Sequence, residues 1–439
     1  MKPWQITRYL AEGPRTTLPA PTVHEIEHHA ADLPEKFDYA MIKLYYGFAE
    51  SMFKKTPPGQ AQKYRRFVES WIHRVDRPSS RFVDAAISVY GSAAGSGFWE
   101  LSQSSPEYSV RSVIDSLPRT QGNDDRIGDL PALLLRGQAE SLLSRERAAA
   151  TFGRVRHHAH HDLVRSFTWD AGALSYYGAE HVLAKKQPPE QLVPEITWAH
   201  IAHTGHRTAF VVSVDPVFFR IYAPMMIFNA QQLPEYDLVL LLCADKMEAA
   251  DLVADAEAYN AALCRLNTQP RARNISFFAV DKPEWVVENH AYYACARFFA
   301  LPQLLEHYEN VYCLDADLLL KDNPASFFKA TADVPLSVPL NSGALSLIPW
   351  RRYMAGNLVA NRRILETPAL QDLAEYISVG LRSEFAWTLD QNALSYVAER
   401  SQPSTMTPLN RYARPTVVSS FMTRWERNHK IRSARTSGA

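Results

Sequence analysis

Two aspartates one residue apart close an apolar run in "VYCLDADLLLKDNP" (311 to 324), and this pair, Asp315 and Asp317, is the strongest chemical signal in the chain. On an extended backbone successive side chains point to opposite faces, so the two carboxylates share one side, with small Ala316 between them. Close carboxylates repel, and one tends to keep its proton unless a cation sits between them. Mg2+ or Mn2+, hard and oxygen-seeking, suits such a pair and commonly completes its shell with phosphate oxygens. The plainer alternative is a solvated strand end, with Asp322, Asn323 and Pro324 as the turn that follows.

Two other clusters invite chemistry. "HEIEH" (24 to 28) fits the H-E-x-x-H pattern that sets two histidines around zinc with Glu25 as a base. It lies between Pro21 and Pro34, carries Glu27 inside the motif and lacks an obvious third ligand, so it reads as a short polar helix. "RVRHHAHHDLVR" puts His157, His160 and His161 on one face, but Arg154, Arg156 and Arg165 would repel a metal ion there. That segment reads as an exposed basic face.

At 439 residues the chain exceeds the usual size of one core and predicts two domains. Lys plus Arg and Asp plus Glu number 47 each, which argues against a nucleic-acid binder resting on bulk positive charge. "MKPWQITRYLAEGPRTTLPA" has no continuous apolar leader core, and no later stretch is long enough to span a bilayer. The expectation is a cytoplasmic protein. Cys243, Cys264, Cys295 and Cys313 are scattered without C-x-x-C spacing, as buried reduced thiols would be.

The elements that must position the acidic pair change character along the chain. Residues 1–200 read as mainly helical: Tyr64, Phe67, Val68, Trp71, Ile72 and Val75 form an apolar stripe, and Met41, Leu44, Tyr45, Phe48 and Met52 form another. "GSAAGSG" and "RTQGNDDRIGD" interrupt them, and "KKQPPEQLVPE" (185 to 195) reads as a linker. Beyond residue 206 come β-rich runs at 208–214, 236–243, 274–280, 311–320 and 335–348, the first four separated by helix-length segments. That alternation predicts an α/β domain over 206–439 with a mostly parallel sheet, and the continuous apolarity of "LVLLLC" says both sheet faces are covered. Its ligand crevice belongs at the carboxyl ends of the strands.

Four segments in order then resemble one family. The acidic pair is similar to the D-x-D motif of GT-A-fold glycosyltransferases. Upstream, "YYACARFFALPQL" resembles a Y-A-R-x-x-L helix containing Arg297. Downstream, "LNSGALSLIPWRR" resembles an N-S-G strand followed by W-R, and "LDQNALSYV" resembles a D-Q-x-x-L-N segment. Together they resemble the retaining family eight, which contains glycogenin and bacterial lipopolysaccharide galactosyltransferases.

The resemblance implies a Rossmann-like GT-A domain and metal-dependent, retaining hexosyl transfer from a nucleotide-diphosphate sugar, such as a UDP-sugar, to a glycan, glycolipid or protein. In it Asp315 and Asp317 hold Mn2+ or Mg2+, with Ala316 between them at the donor, and Arg297 adds charge on the diphosphate. Val212, Ser213 and Asp215 line the nucleotide, although Pro216, Val217 and Phe218 replace the family's usual D-D-N-Y-like turn. Asn341, Ser342 and Gly343 line the donor sugar, Asp390 holds its hydroxyls and Gln391 stabilises charge at the anomeric carbon. The helical half would recognise the acceptor or mediate assembly.

The family's third metal ligand is a histidine in an H-x-x-G-x-x-K-P-W segment. Here the tail reads "VVSSFMTRWERNHKIRSARTSGA", which offers only His429, as a ligand or as a solvated tail residue. The tail's Arg and Lys suit an anionic surface such as the inner face of a membrane, or a disordered end. Taken as plain residues, Arg297 is also a surface arginine on an amphipathic helix, 341–343 a tight turn and Asp390 a helix-start residue. Two other functions stay open. One is a non-catalytic module binding nucleotide-sugar or a protein partner. The other is a haloacid-dehalogenase-type phosphatase, whose D-x-D normally continues Gly-Thr-Leu where this chain has Leu318.

Overall fold

The structure, a computed structural model, describes residues 129–159, 161–165, 171–185, 194, 196–267, 269–320, 322–341, 348–409 and 417–419. The stripes before residue 76, "GSAAGSG", "HEIEH" and most of "KKQPPEQLVPE" lie outside them. The chain divides into two compact units. Among the described residues one draws on 129–187, 340–353 and 375–396, and the other on 188–339, 354–374 and 397–419.

The second unit is mixed α/β. Its elements are β1 (Ile196–His200), β2 (Thr208–Val214), α5 (Pro216–Gln232), β3 (Asp237–Leu242), α6 (Lys246–Asn267), β4 (Ile275–Val280), α7 (Asn289–His307), β5 (Asn310–Leu314), β6 (Leu318–Leu320), α8 (Ala325–Thr331), β7 (Leu336–Val338), β8 (Asn357–Asn361), β9 (Met406–Pro408) and β10 (Val417–Ser419). Eight strands form one sheet in the order β1-β4-β3-β2-β5-β8-β7-β9, and β10 pairs with β6. The centre, β4-β3-β2-β5, is parallel, and β8 runs antiparallel beside β5. Every residue of β3 and β4 is buried, which is why their sequences are continuously apolar rather than alternating.

From β2 the chain adds β3 and β4 on one side and then returns to place β5 on the other. The strand order therefore reverses between β2 and β5, and in open α/β sheets ligands bind outside the carboxyl ends at such a reversal. Phe210, Tyr312, Phe327 and Leu240 anchor the core beneath this point.

Buried polar groups hold the opposite edge. Asp237, 2 % exposed at the start of β3, accepts from Thr204 Oγ1 (2.8 and 2.9 Å) and from Tyr308 Oη (2.9 Å), and His206 Nδ1 lies 2.8 Å away. Asn274, 4 % exposed, donates its Nδ2 to the carbonyls of Ala230, Leu233 and Tyr236 at 3.1, 3.2 and 2.6 Å, satisfying the end of α5 and the turn after it.

The first unit is helical: α1 (Asp129–Glu140), α2 (Arg145–Arg156), α3 (His161–Arg165), α4 (Ala179–Lys185), α9 (Pro349–Arg352) and parts of α10 (Ala369–Leu381) and α11 (Leu389–Arg400). Leu130, Leu134, Phe152, Tyr176 and Trp350 make its core, and Gly137 lets α1 approach the Phe152 ring, which a Cβ would meet at 2.3 Å. The histidine-rich segment is not one helical face: α2 ends at Arg156, α3 begins at His161, and His158 between them is buried. The four cysteines are free thiols, and Cys243, Cys295 and Cys313 are buried. Among the described residues no helix is long and apolar enough to cross a membrane.

Asn274→Ala leaves three carbonyls without that donor. The expected loss is about 2–3 kcal/mol, seen as an unfolding midpoint lower by roughly 5–10 °C in a circular-dichroism melt.

Candidate functional site

At the reversal point, α7 turns Arg297 inward among buried Cys295, Ala296, Phe298 and Phe299. Its side chain is 4 % exposed, and Nη1 donates to Asp315 Oδ1 at 2.8 Å, across to a carboxylate that is 52 % exposed. The Phe298 ring lies 5.6 Å from the same guanidinium. Asp315 is the first residue past β5. Its N–H donates to the Gly356 carbonyl at 2.9 Å, and its carboxylate lies against the Gly356 Cα, where a Cβ would meet Oδ2 at 1.7 Å. A Cβ there would require the carboxylate to move.

The acidic pair is not arranged by strand alternation. Residues 311–320 are not one strand: Leu318 N–H bonds back to the Asp315 carbonyl at 3.1 Å, Ala316 and Asp317 form a turn, and β6 starts at Leu318. The pleat argument for a shared face is therefore replaced by a turn in which Ala316 separates Asp315 from Asp317. Ala316 is 8 % exposed and packs in the core. Among the described residues of the segment 335–348, Leu336–Val338 form a strand.

Beside β5, the end of β2 presents the other expected residues. Val212 is 3 % exposed and belongs to the core, so its side chain has no ligand surface. Ser213 donates to the Tyr293 carbonyl at 2.6 Å and lies 3.4 Å from Cys243 Sγ, and burial pushes that thiol up to about 12. Asp215 caps α5, its Oδ1 accepting from Phe218 N at 2.8 Å. Burial pushes the neighbouring Tyr293 phenol up, with Asp215 and Glu248 adding to the shift, so it stays a donor.

Each parallel strand is followed by an aspartate: Asp215 after β2, Asp245 after β3, Asp281 after β4 and Asp315 after β5. Asp245 caps α6 through Met247 N and Glu248 N, both at 2.9 Å, and the Asp281 carbonyl accepts from Tyr292 Oη at 2.6 Å. Of the four carboxylates, Asp315 is the one shown paired with a buried guanidinium. Asp245, Asp281, Tyr293 and Gly356 were not singled out above, although the repeated pattern of an apolar run ending in Asp marks the first two.

The remaining candidates belong to the helical unit. Asn341 donates its Nδ2 to the Arg351 carbonyl and its N–H to the Arg352 carbonyl, so it secures the end of α9. Asp390 is 9 % exposed and accepts from Gln391 N at 2.8 Å. In the amide orientation that satisfies both ends, Gln391 gives its nitrogen to the carbonyls of Trp350 (2.5 Å) and Tyr353 (3.1 Å). Just before them Thr388 has φ 52°, a left-handed angle that is strained for a β-branched residue, and Trp387 is 47 % exposed.

The turn at 386–388 is gripped by residues 171–178, a stretch buried throughout. Gly172 makes room for Thr388 Oγ1 and the Trp350 ring, each of which a Cβ would meet at 2.3 Å, and Ser175 Oγ donates to the Trp387 carbonyl at 2.8 Å. Every carbonyl of the stretch has a donor. Arg145 Nη1 serves Tyr177, Arg156 Nη1 serves Leu174 and Tyr176, Asn392 Nδ2 serves Gly172 and Tyr376 Oη serves Ser175; backbone N–H groups serve Ala171, Ala173 and Gly178. Burial pushes the Tyr376 phenol up, which keeps it a donor.

Ser342, Gly343 and His429 lie outside the described residues, and among the described residues no group of three His, Cys, Asp or Glu side chains is placed to hold a metal ion. Asp315 and Asp317 supply hard oxygens only. That donor set fits Mg2+ or Mn2+ when substrate phosphates and water complete the shell, as they commonly do.

No family profile matches the chain, and neither does any curated protein. Among solved structures it is similar to the glycosyltransferase GlyE of Streptococcus pneumoniae TIGR4, at 13 % identity and a TM-score of 0.29. The match covers 46 % of this chain and 45 % of that one, less than half of either.

Gly356→Ala pushes the Asp315 carboxylate aside. We expect it to lower stability by about 1–3 kcal/mol in denaturant unfolding and to lose most of that effect in an Asp315→Ala background, where the clashing group is gone. Equal losses in both backgrounds would show that the two positions are not coupled.

Proposed function

We propose that this chain moves a sugar from a nucleotide-diphosphate sugar to a hydroxyl acceptor. The observation that carries this reading is the pair formed by buried Arg297 and exposed Asp315 at the strand-order reversal, beside a second carboxylate in the adjoining turn. A fixed guanidinium and two oxygen donors at that position form a receptor for a diphosphate with its divalent cation. The four segments in family order support a GT-A domain of the retaining family-eight kind, and a glycan, glycolipid or protein as acceptor.

In this reading Arg297 neutralises diphosphate charge as the bond between the anomeric carbon and the phosphate oxygen breaks and its electrons leave on that oxygen. Mn2+ or Mg2+ held by Asp315 and Asp317 supplies further charge neutralisation when bound. The family resemblance extends two further roles to this chain, Asp390 for the sugar hydroxyls and Gln391 for positive charge at the anomeric carbon. The acceptor oxygen forms the new bond on the face the leaving group vacates, and its proton passes to the released phosphate. The N-terminal residues 1–200 are assigned to acceptor recognition or assembly.

A screen of nucleotide-sugars with MnCl2, scoring released nucleoside diphosphate, tests the reading. Release is expected for at least one donor and falls about 100-fold or more in Asp317→Asn. Donor binding without release, with saccharide acceptors present, would instead favour a binding module, the reading motivated by a tail that lacks the family's H-x-x-G-x-x-K-P-W segment. Release of inorganic phosphate from simple phosphomonoesters would overturn both.

A further inference from the structure

In the helical unit, Arg156 is a cation held without an acid. It is the last residue of α2, half-buried, and its Nη1 donates to the carbonyls of Leu174 (3.3 Å) and Tyr176 (2.9 Å). Its guanidinium lies 5.1 Å from the centre of the Tyr177 ring. Carbonyls, a ring face and the carboxyl end of a helix offer partial negative charge, which positions the group and leaves its full charge unmatched. Among the described residues no carboxylate pairs with it. Burial pushes its pKa down, and the groups that oppose this are two phenols, Tyr177 and Tyr376 of α10. With Nη1 spent on carbonyls, the edge formed by Nε and Nη2 remains, and such an edge is what meets an oxyanion through two parallel hydrogen bonds.

A second basic group meets the same ring. His181 of α4 stacks on Tyr177, with ring centres 5.1 Å apart and planes 11° from parallel, and Lys185 follows at the four-residue spacing that places two side chains on one helical face. Burial pushes the His181 imidazole below its ordinary value, and Arg156 and Lys185 push it the same way. The charges that move it are thus both positive. Of the acids close in sequence, Glu146 of α2 is occupied, its Oε1 accepting from Ala179 N at 2.6 Å, and Glu180 of α4 is exposed. We infer that Arg156, His181 and Lys185 form a binding site, around the Tyr177 ring, for a tetrahedral oxyanion such as a phosphate group. The site lies within the helical unit and does not rest on the donor reading. An anion there supplies the charge that the carbonyls lack. It also relieves the repulsion at His181, so the imidazole takes up a proton as the anion binds, and affinity rises as pH falls.

Sulfate is the probe, because its charge stays constant across the range in which histidine titrates. The full chain, isotopically labelled in its histidine rings, is titrated with sodium sulfate at constant ionic strength, so that screening does not change. The His181 signal, identified by its absence from His181→Gln, is followed by NMR at about pH 5.5 and about pH 7.5. It should move saturably, with affinity about tenfold higher at the lower pH. Inorganic phosphate and glucose 1-phosphate, compared at the lower pH, then tell whether the group is taken free or as an ester.

Arg156→Met should weaken sulfate binding about tenfold or more. That variant also takes the donor from two carbonyls, so Lys185→Met, at an exposed position, keeps the idea testable even where Arg156→Met fails to fold. There the expected loss is several-fold. In His181→Gln, sulfate affinity measured by calorimetry should lose its pH dependence while the affinity at the higher pH is kept. A His181 signal that does not respond to sulfate at either pH would overturn the inference. So would native affinity that is the same at both pH values, or affinity unchanged in Lys185→Met.

Discussion

A guanidinium almost sealed from water at the edge of a sheet needs an anion beside it, and the surroundings of Arg297 follow from that need. An uncompensated buried charge is among the costliest defects a fold can carry. Here α7 delivers the cation, β5 ends so that Asp315 meets it, and Gly356, the residue just before β8, leaves room for the carboxylate against its Cα. The antiparallel pairing of β8 with β5, Asn357 opposite Leu314, sets Gly356 just where the carboxylate needs it. An interaction between two side chains thus fixes the relation of three elements that are distant in sequence.

Local sequence was informative where local physics decides. The runs at 208–214, 236–243 and 274–280 became β2, β3 and β4 with their ends moved by at most a residue, because strands covered on both faces leave a continuous apolar signature. The run at 311–320 was harder. Its apolar residues on both sides of the acids look continuous, yet β5 stops at Leu314, where its partner gives way to Gly356, and a turn intervenes. A strand's end is set by a neighbour some forty residues away, so the turn that carries Ala316 and Asp317 was not legible in the local sequence. Gly356 and Tyr293 carried no local mark because their roles arise only from tertiary contact.

The four aspartates at the carboxyl edge show how little residue type and position say alone. Asp215 and Asp245 accept from first-turn N–H groups and stabilise the helices they precede, and Asp281 is tied through its backbone to Tyr292. Asp315 differs through its partner. Asp315 faces a buried cation, whereas Asp215 and Asp245 serve the helices they cap.

The stretch 171–178 has an evolutionary consequence. Loops ordinarily absorb insertions and deletions because water satisfies whatever backbone they expose. This one is buried throughout, and each of its carbonyls is matched to a donor, several of them side chains from far along the chain. Adding or removing one residue would shift every later carbonyl off its donor at once. An inserted or deleted residue in this segment therefore costs more than a substitution, and changes at Arg145, Arg156, Tyr376 or Asn392 bear on the same carbonyls.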